Sequence, residues 1–178
     1  MDMLASSRFS LLFCALMVCA GAAFSADGTV TVNGEVIAET CTVNGDVPNF
    51  GVVLPTVSLL AFQGVGSTAG ATAFAIAMTN CSMGLGSVNT YFEPGPTTSA
   101  AGRLINQIFG GASVDGQIQN ADGSAVNLAA AYGSQNTTPT SIVGQSATQV
   151  YSIAYFANAS PMTAGAFSTS VVYTLVYP

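Results

Sequence analysis

Gly165-Ala-Phe-Ser-Thr-Ser-Val-Val-Tyr-Thr-Leu-Val-Tyr177-Pro178 is the stretch whose reading decides the fold. Phe167, Val171, Tyr173, Leu175 and Tyr177 recur at period two, the spacing that sets side chains on one face of a β-strand. Val172 and Val176 fall on the opposite face, so both faces carry apolar groups. The spacing predicts a strand over 164–177, and its position predicts a last strand with no hairpin partner after it. A second alternating run, Gly28-Thr-Val30-Thr-Val32-Asn-Gly34-Glu-Val36, lies near the other end of the chain.

Between these runs, strand-like segments alternate with Gly, Pro, Asn and Ser punctuation. Strands are expected at 52–54, 72–79, 88–93, 114–119 and 149–158. Breaks fall at Glu93-Pro-Gly-Pro96, Gly110-Gly111, Asn120-Ala-Asp-Gly123, Asn136-Thr-Thr-Pro139 and Ser160-Pro161. Many short strands of this kind predict an all-β sandwich. Residues 125–132 fit either one helical turn or a short strand. Tyr151, Ile153 and Tyr155 share one face of their segment, and Val150, Ala154 and Phe156 share the other. Phe74, Ile76 and Met78 share a face just before Cys81. Apolar groups on both faces suit a central strand pressed on a second sheet.

Arg8 precedes an apolar run from Phe9 to Ala23, and Ala23-Phe24-Ser25 has the small-x-small pattern of a cleavage site. A removable export signal is therefore expected over 1–25, with cleavage after Ala22 as the alternative. The run is shorter than the roughly 20 apolar residues that a spanning helix needs. Cys14 and Cys19 lie inside it, which leaves Cys41 and Cys81. In an exported protein their default state is one disulfide. Closing a loop of this length is worth about 4 kcal/mol in the chain-entropy account.

Charge is scarce. The chain has 2 Lys and Arg residues against 8 Asp and Glu, no His, and a net charge of -6. Beyond the export signal, Arg103 is the only basic residue. An acidic chain without a basic patch is a poor partner for nucleic acid or an anionic membrane surface. Half of the residues are hydrophobic and 6% are charged. That balance fits either a surface buried against other copies of the chain or a Ser-, Thr- and Asn-rich exterior.

The chemistry of catalysis is largely missing. Without histidine there is no Ser-His-Asp or Cys-His nucleophile, and zinc lacks its ligands. Glu35 and Glu39 would lie about 13 Å apart along a strand, beyond the reach of an acid–base pair. Asp115 and Asp122 could approach each other across a turn. Asn120-Ala-Asp122-Gly-Ser124 reads as an Asp-Gly turn more readily than as a calcium loop. No catalytic residue, metal or cofactor is expected.

Four segments together resemble the chaperone–usher pilins, and among them the major subunits of type 1-like fimbriae. Gly28-Thr-Val-Thr-Val-Asn-Gly-Glu-Val-Ile37, followed by Cys41, is similar to the family's N-terminal donor segment. Phe74-Ala-Ile-Ala-Met-Thr-Asn-Cys81 is similar to its second-cysteine motif. Gly102-Arg-Leu-Ile-Asn106 resembles its short G-x-L-x-N segment. Gly165, fourteenth from the end, with Tyr177, second from the end, resembles its C-terminal chaperone-recognition motif.

The resemblance implies an incomplete immunoglobulin-like sandwich lacking the seventh strand, with a donor segment over 26–36 and a pilin domain over 37–178. Phe167, Val171, Tyr173 and Leu175 would line the groove that the missing strand leaves. A periplasmic chaperone would fill that groove first. The donor strand of a neighbouring pilin, with Gly28, Val30, Val32 and Gly34 facing in, would then replace it at an outer-membrane usher. The implied function is a structural subunit of a surface fimbria involved in adhesion. A monomeric secreted sandwich, keeping residues 28–36 as its own edge strand, is the alternative reading.

Overall fold

The computed structural model describes residues 30–34 and 40–178. They belong to two separate units, divided between Val36 and Ile37. Residues 30–34 carry no regular secondary structure. Gly28 and residues 35–39 lie outside the described residues, as does the expected export signal.

Residues 40–178 form a sandwich of two antiparallel sheets. β1 (Thr42–Val43), β2 (Thr68–Thr79), β4 (Leu104–Ile105), β5 (Asp115–Asn120) and β7 (Ala147–Phe156) make a five-stranded sheet in the order β1-β2-β7-β5-β4. β3 (Ser87–Glu93), β6 (Thr140–Ser141) and β8 (Val172–Val176) make a second sheet in the order β6-β3-β8. One short 3-10 turn, Leu59–Ala61, starts at Ser58, whose hydroxyl accepts the Leu60 N–H.

β2 and β7 form the longest ladder, from Thr68↔Phe156 to Met78↔Ala147. Its register shifts between Ala69 and Thr72. Gly70 stands in that bulge with a φ of 66°, a conformation open to glycine, and a Cβ there would come within 2.9 Å of Val57 Cγ1.

The alternation read from the sequence sorts these strands by face. Ile76 and Met78 on β2 point into the sandwich and are fully buried, with Phe74 packed behind them. Tyr151 on β7 joins Ile76, Phe92, Leu104, Ile118, Val126 and Leu128 in the main core. A second cluster gathers Met78, Cys81, Val88 and Ala147 against Cys41. There the two cysteines are bonded, S–S 2.04 Å, which pins the chain ahead of β1 to the end of β2.

Three buried glutamines hold what apolar packing leaves open. Gln149 on β7 accepts the Thr90 hydroxyl from the opposite sheet and donates to Val88 O at 3.3 Å. Gln135 accepts the Phe92 N–H at 3.0 Å and returns a bond to Phe92 O at 2.6 Å, copying a strand partner for β3. Gln117 donates to Val126 O at 3.0 Å. A buried backbone amide without such a partner is costly, so these side chains fix the loops that flank the sheets.

Residues 125–132 are neither a helical turn nor a strand. Residues 125–127 run extended beside β5, with Val126 N–H bonded to Ile118 O, and the chain then turns at 128–130, where Leu128 N–H bonds to Gly102 O and Ala130 N–H to Asn127 O. Val126 and Leu128 enter the core at period two. The expected strand over 164–177 is also shorter than its pattern. Only Val172–Val176 pair with β3, in the register Glu93↔Val172 to Asn89↔Val176. The residues before it bond instead to a loop, Ala112 N–H to Ala166 O and Gln107 N–H to Ser168 O, each within 2.9 Å.

Candidate functional site: an open apolar groove

β8 is bonded to β3 along one edge only; among the described residues no strand lies along the other. Beside that open edge runs an apolar groove of about 910 Å³. Its first wall is the segment 167–177. Phe167, Val171, Tyr173, Leu175 and Tyr177, the period-two set, all contribute to it. Val172, on the other face, is 65% exposed.

The second wall is the chain after β1. Phe50, Val52 and Leu54 point into the groove at period two, and Val53 between them is 88% exposed. The strand expected at 52–54 is thus extended but unpaired, since no ladder joins it to either sheet among the described residues. The floor is the main core itself, formed by Phe74, Ile76, Phe92 and Ile153. An ordinary sandwich would cover these groups with a further strand. A large apolar concavity beside a free strand edge is a site for pairing.

One hydrogen bond spans the two walls. The Tyr173 hydroxyl donates to Pro48 O at 2.8 Å. The Phe50 ring lies 6.3 Å from Tyr173 and 5.9 Å from Phe74, centroid to centroid. Burial pushes the Tyr173 hydroxyl above its ordinary value, and does the same to Tyr151 and Tyr155. At the far end, the Tyr155 ring meets Phe167 edge-on at 5.3 Å.

Gly165 stands outside the groove lining. A Cβ there would meet the backbone of Gly111 and Ala112, at 2.7 Å from Ala112 N. The reverse also holds, since a Cβ on Gly111 would strike Ala166 O. Asn106 secures the same junction. Its Nδ2 donates to Ala112 O and Ala166 O, both at 2.9 Å. Its Oδ1 accepts from Ile108 N and Ser168 N, both at 3.1 Å. One side chain thereby ties four backbone groups and aims the segment that becomes the groove wall.

The carboxylates do not converge. Asp115 and Asp122 flank opposite ends of β5, roughly 17 Å or more apart along an extended strand. Asp115 binds Arg103 Nε at 3.1 Å and Asn158 Nδ2 at 2.7 Å. Asp122 accepts the Ser124 N–H at 2.9 Å beside Gly123, whose φ is 83°. This is a closed Asp-Gly turn, and the bonds from Ser124 hold the Asp122 carboxyl below its ordinary value. Among the described residues no three His, Cys, Asp or Glu side chains gather as a metal site.

Of the alternating N-terminal run, Val30–Gly34 are described. Val30 is 88% exposed and Val32 87% exposed, unusual for two valines at period two.

Comparison with known proteins bears on this geometry. The family described as type-1 fimbrial protein A matches residues 54–178. The major fimbrial subunit SMF-1 of Stenotrophomonas maltophilia is 40% identical over 164 residues, covering 88% of this chain and 95% of that protein. The F17 fimbrial protein of Escherichia coli is 37% identical over 158 residues, covering 85% and 87%. Among solved structures, the P pilus rod subunit PapA superposes with a TM-score of 0.60 at 18% identity, over 78% of this chain and 99% of that one. At that identity the likeness speaks for the fold, an immunoglobulin-like pilin sandwich. The reading as a self-contained monomeric module gives way to these relatives, which are structural subunits. The chain belongs to the type-1 fimbrial protein family and is a structural pilin of a cell-surface fimbria.

Proposed function

We propose that the chain polymerises by donor-strand exchange: the open groove of one subunit receives the N-terminal run of the next. The observation that carries this reading is the pair of period-two walls, 167–177 with its open β8 edge and the unpaired 50–54, lining one groove over an apolar floor. A strand laid between them would find backbone partners on the open β8 edge and pockets for alternate side chains. Gly28, Val30, Val32 and Gly34 present such a pattern, with two exposed valines between glycines small enough for shallow pockets. Burying one valine contributes ~1.5–3 kcal/mol.

Before assembly the same groove would be filled by a strand from a periplasmic chaperone. Gly165 and Tyr177 belong to the segment it would recognise, and Phe167, Val171, Tyr173 and Leu175 are the side chains it would cover. Export would remove residues 1–25, leaving 26–36 as the donor and 37–178 as the pilin domain. Addition to the fibre would take place at an outer-membrane usher, and the fibre would serve adhesion. No catalytic role is proposed: Asp115 is held in an ion pair with Arg103 and Asp122 in a turn.

A cysteine pair tests the exchange. Val32→Cys with Tyr173→Cys should yield fibres that run as disulfide-linked ladders on non-reducing gels. Val32→Cys with Val143→Cys, an exposed site away from the groove, should not. Equal crosslinking by both pairs, or none by the first in intact fibres, would overturn the placement.

A further inference from the structure

Asn-Gly occurs twice in this chain, at Asn33-Gly34 and Asn44-Gly45, and the structure treats the two sites differently. At Asn44 the backbone N–H donates to Ala77 O at 2.8 Å, and the side-chain Oδ1 accepts the Ala77 N–H at 2.8 Å. The residue is held at a φ of 46°. Its amide is clamped onto β2. Asn33 and Gly34 are exposed, in a segment without regular secondary structure. A Cβ on Gly34 would meet nothing within 4 Å.

Asparagine before glycine is chemically exposed in a specific sense. Glycine has no side chain to hinder its own backbone nitrogen from reaching the preceding amide, and its backbone reorients freely. We propose that Asn33 is a spontaneous deamidation site, and that the reaction ages subunits that have not yet been assembled. The Gly34 nitrogen loses its proton and bonds to Asn33 Cγ. The Cγ–NH₂ bond breaks, and the nitrogen leaves as ammonia, closing a succinimide. Water then opens the ring. Attack at Cγ gives aspartate. Attack at the main-chain carbonyl gives isoaspartate, with the peptide bond now running through Cγ. No oxidant or cofactor enters.

Isoaspartate adds one atom to the backbone between Val32 and Gly34. Side chains before and after that point no longer share a face, which is the effect of a register slip. The consequence for assembly rests on the donor-strand reading. In a ladder, the extended backbone keeps the Gly34 nitrogen away from Asn33 Cγ, so insertion into a neighbour should arrest the reaction.

The test incubates the unpolymerised full-length subunit, and in parallel its fibres, in heavy-oxygen water at mildly alkaline pH, with peptide mapping over time. In the subunit, label should enter at Asn33, and roughly tenfold or more slowly at Asn44, whose two hydrogen bonds must open first. No label at Asn33, or equal rates at both sites, overturns the proposal. In fibres, slower labelling at Asn33 supports protection by insertion. Equal rates in fibre and subunit overturn the donor placement while leaving the deamidation site standing. An aged Asn33→Gln subunit should still add to fibres where the aged natural subunit no longer does. Loss of addition by both would overturn the ageing consequence.

Discussion

Arg103 is the only Lys or Arg among the described residues, and two side chains hold its own. Its Nε binds Asp115, its guanidinium lies 4.0 Å over the Phe156 ring, and Asn158 occupies the other Asp115 oxygen. The pair joins β5 to the chain before β4, with side chains 21% and 9% exposed. Breaking a largely buried pair leaves a charge without its partner. Arg103→Met should therefore cost ~2–3 kcal/mol in urea unfolding, and Arg103→Met with Asp115→Asn should recover part of that loss. A full loss persisting in the double variant would assign the effect to packing on Phe156. Asn106→Ala removes four backbone tethers and should cost about 2 kcal/mol, near 4–8 °C in Tm for a domain of this size. Gly165→Ala drives a Cβ into the Gly111–Ala112 backbone. It should destabilise the isolated domain itself, so an unchanged Tm would move the role of Gly165 to a partner.

At the scale of elements, the N-terminal run and the disulfide make opposite predictions. Val32→Arg should leave the domain's Tm unchanged and abolish addition through the variant's own N-terminus. An unpaired charge in an apolar groove costs several kcal/mol, comparable with the gain from two valines. Unfolding of that variant would instead place residues 28–34 in the domain's own core. Cys41→Ser opens the bond to Cys81 and should lower stability by about 4 kcal/mol, read as a fall in denaturation midpoint. β2, β3, β5 and β7 are legible in the sequence because alternation and punctuation agree there. β1, β4 and β6 are two residues each, too short to show any period. The 164–171 run carries strand alternation without a strand, because its backbone is bonded to the Asn106–Ala112 loop. Period two reports which side chains face inward, and the same pattern serves Phe50–Leu54, which joins no ladder among the described residues. The glutamine clasps at 117, 135 and 149 left no sequence signal, since a lone Gln reads as surface until its backbone partners are placed.

The whole molecule has no histidine, so no side chain has an ordinary titration near neutrality. Tyr151, Tyr155 and Tyr173 are each raised by burial. Their contribution is fully present below the unfolded value near 10 and is lost as pH rises through the folded values. Stability should be flat from about pH 6 to 9 and decline above about 10. Denaturation midpoints across that range check this, and a step near pH 6–7 would contradict it. Asp122, lowered by Ser124, acts in the other direction, its contribution lost as pH falls below its ordinary carboxylate range. Ionising Tyr173 also removes the donor that links the two groove walls, so alkaline loosening should begin at the groove.

The scarcity of cations makes this pilin a poor substrate for trypsin. Trypsin has two cleavage points in the entire sequence, after Arg8 and after Arg103. The second is stacked on the Phe156 ring and held in the ion pair with Asp115, and Leu104, the residue just beyond the scissile bond, is 1% exposed. A protease of that specificity would find no purchase on residues 30–34 and 40–178 while the sandwich is closed.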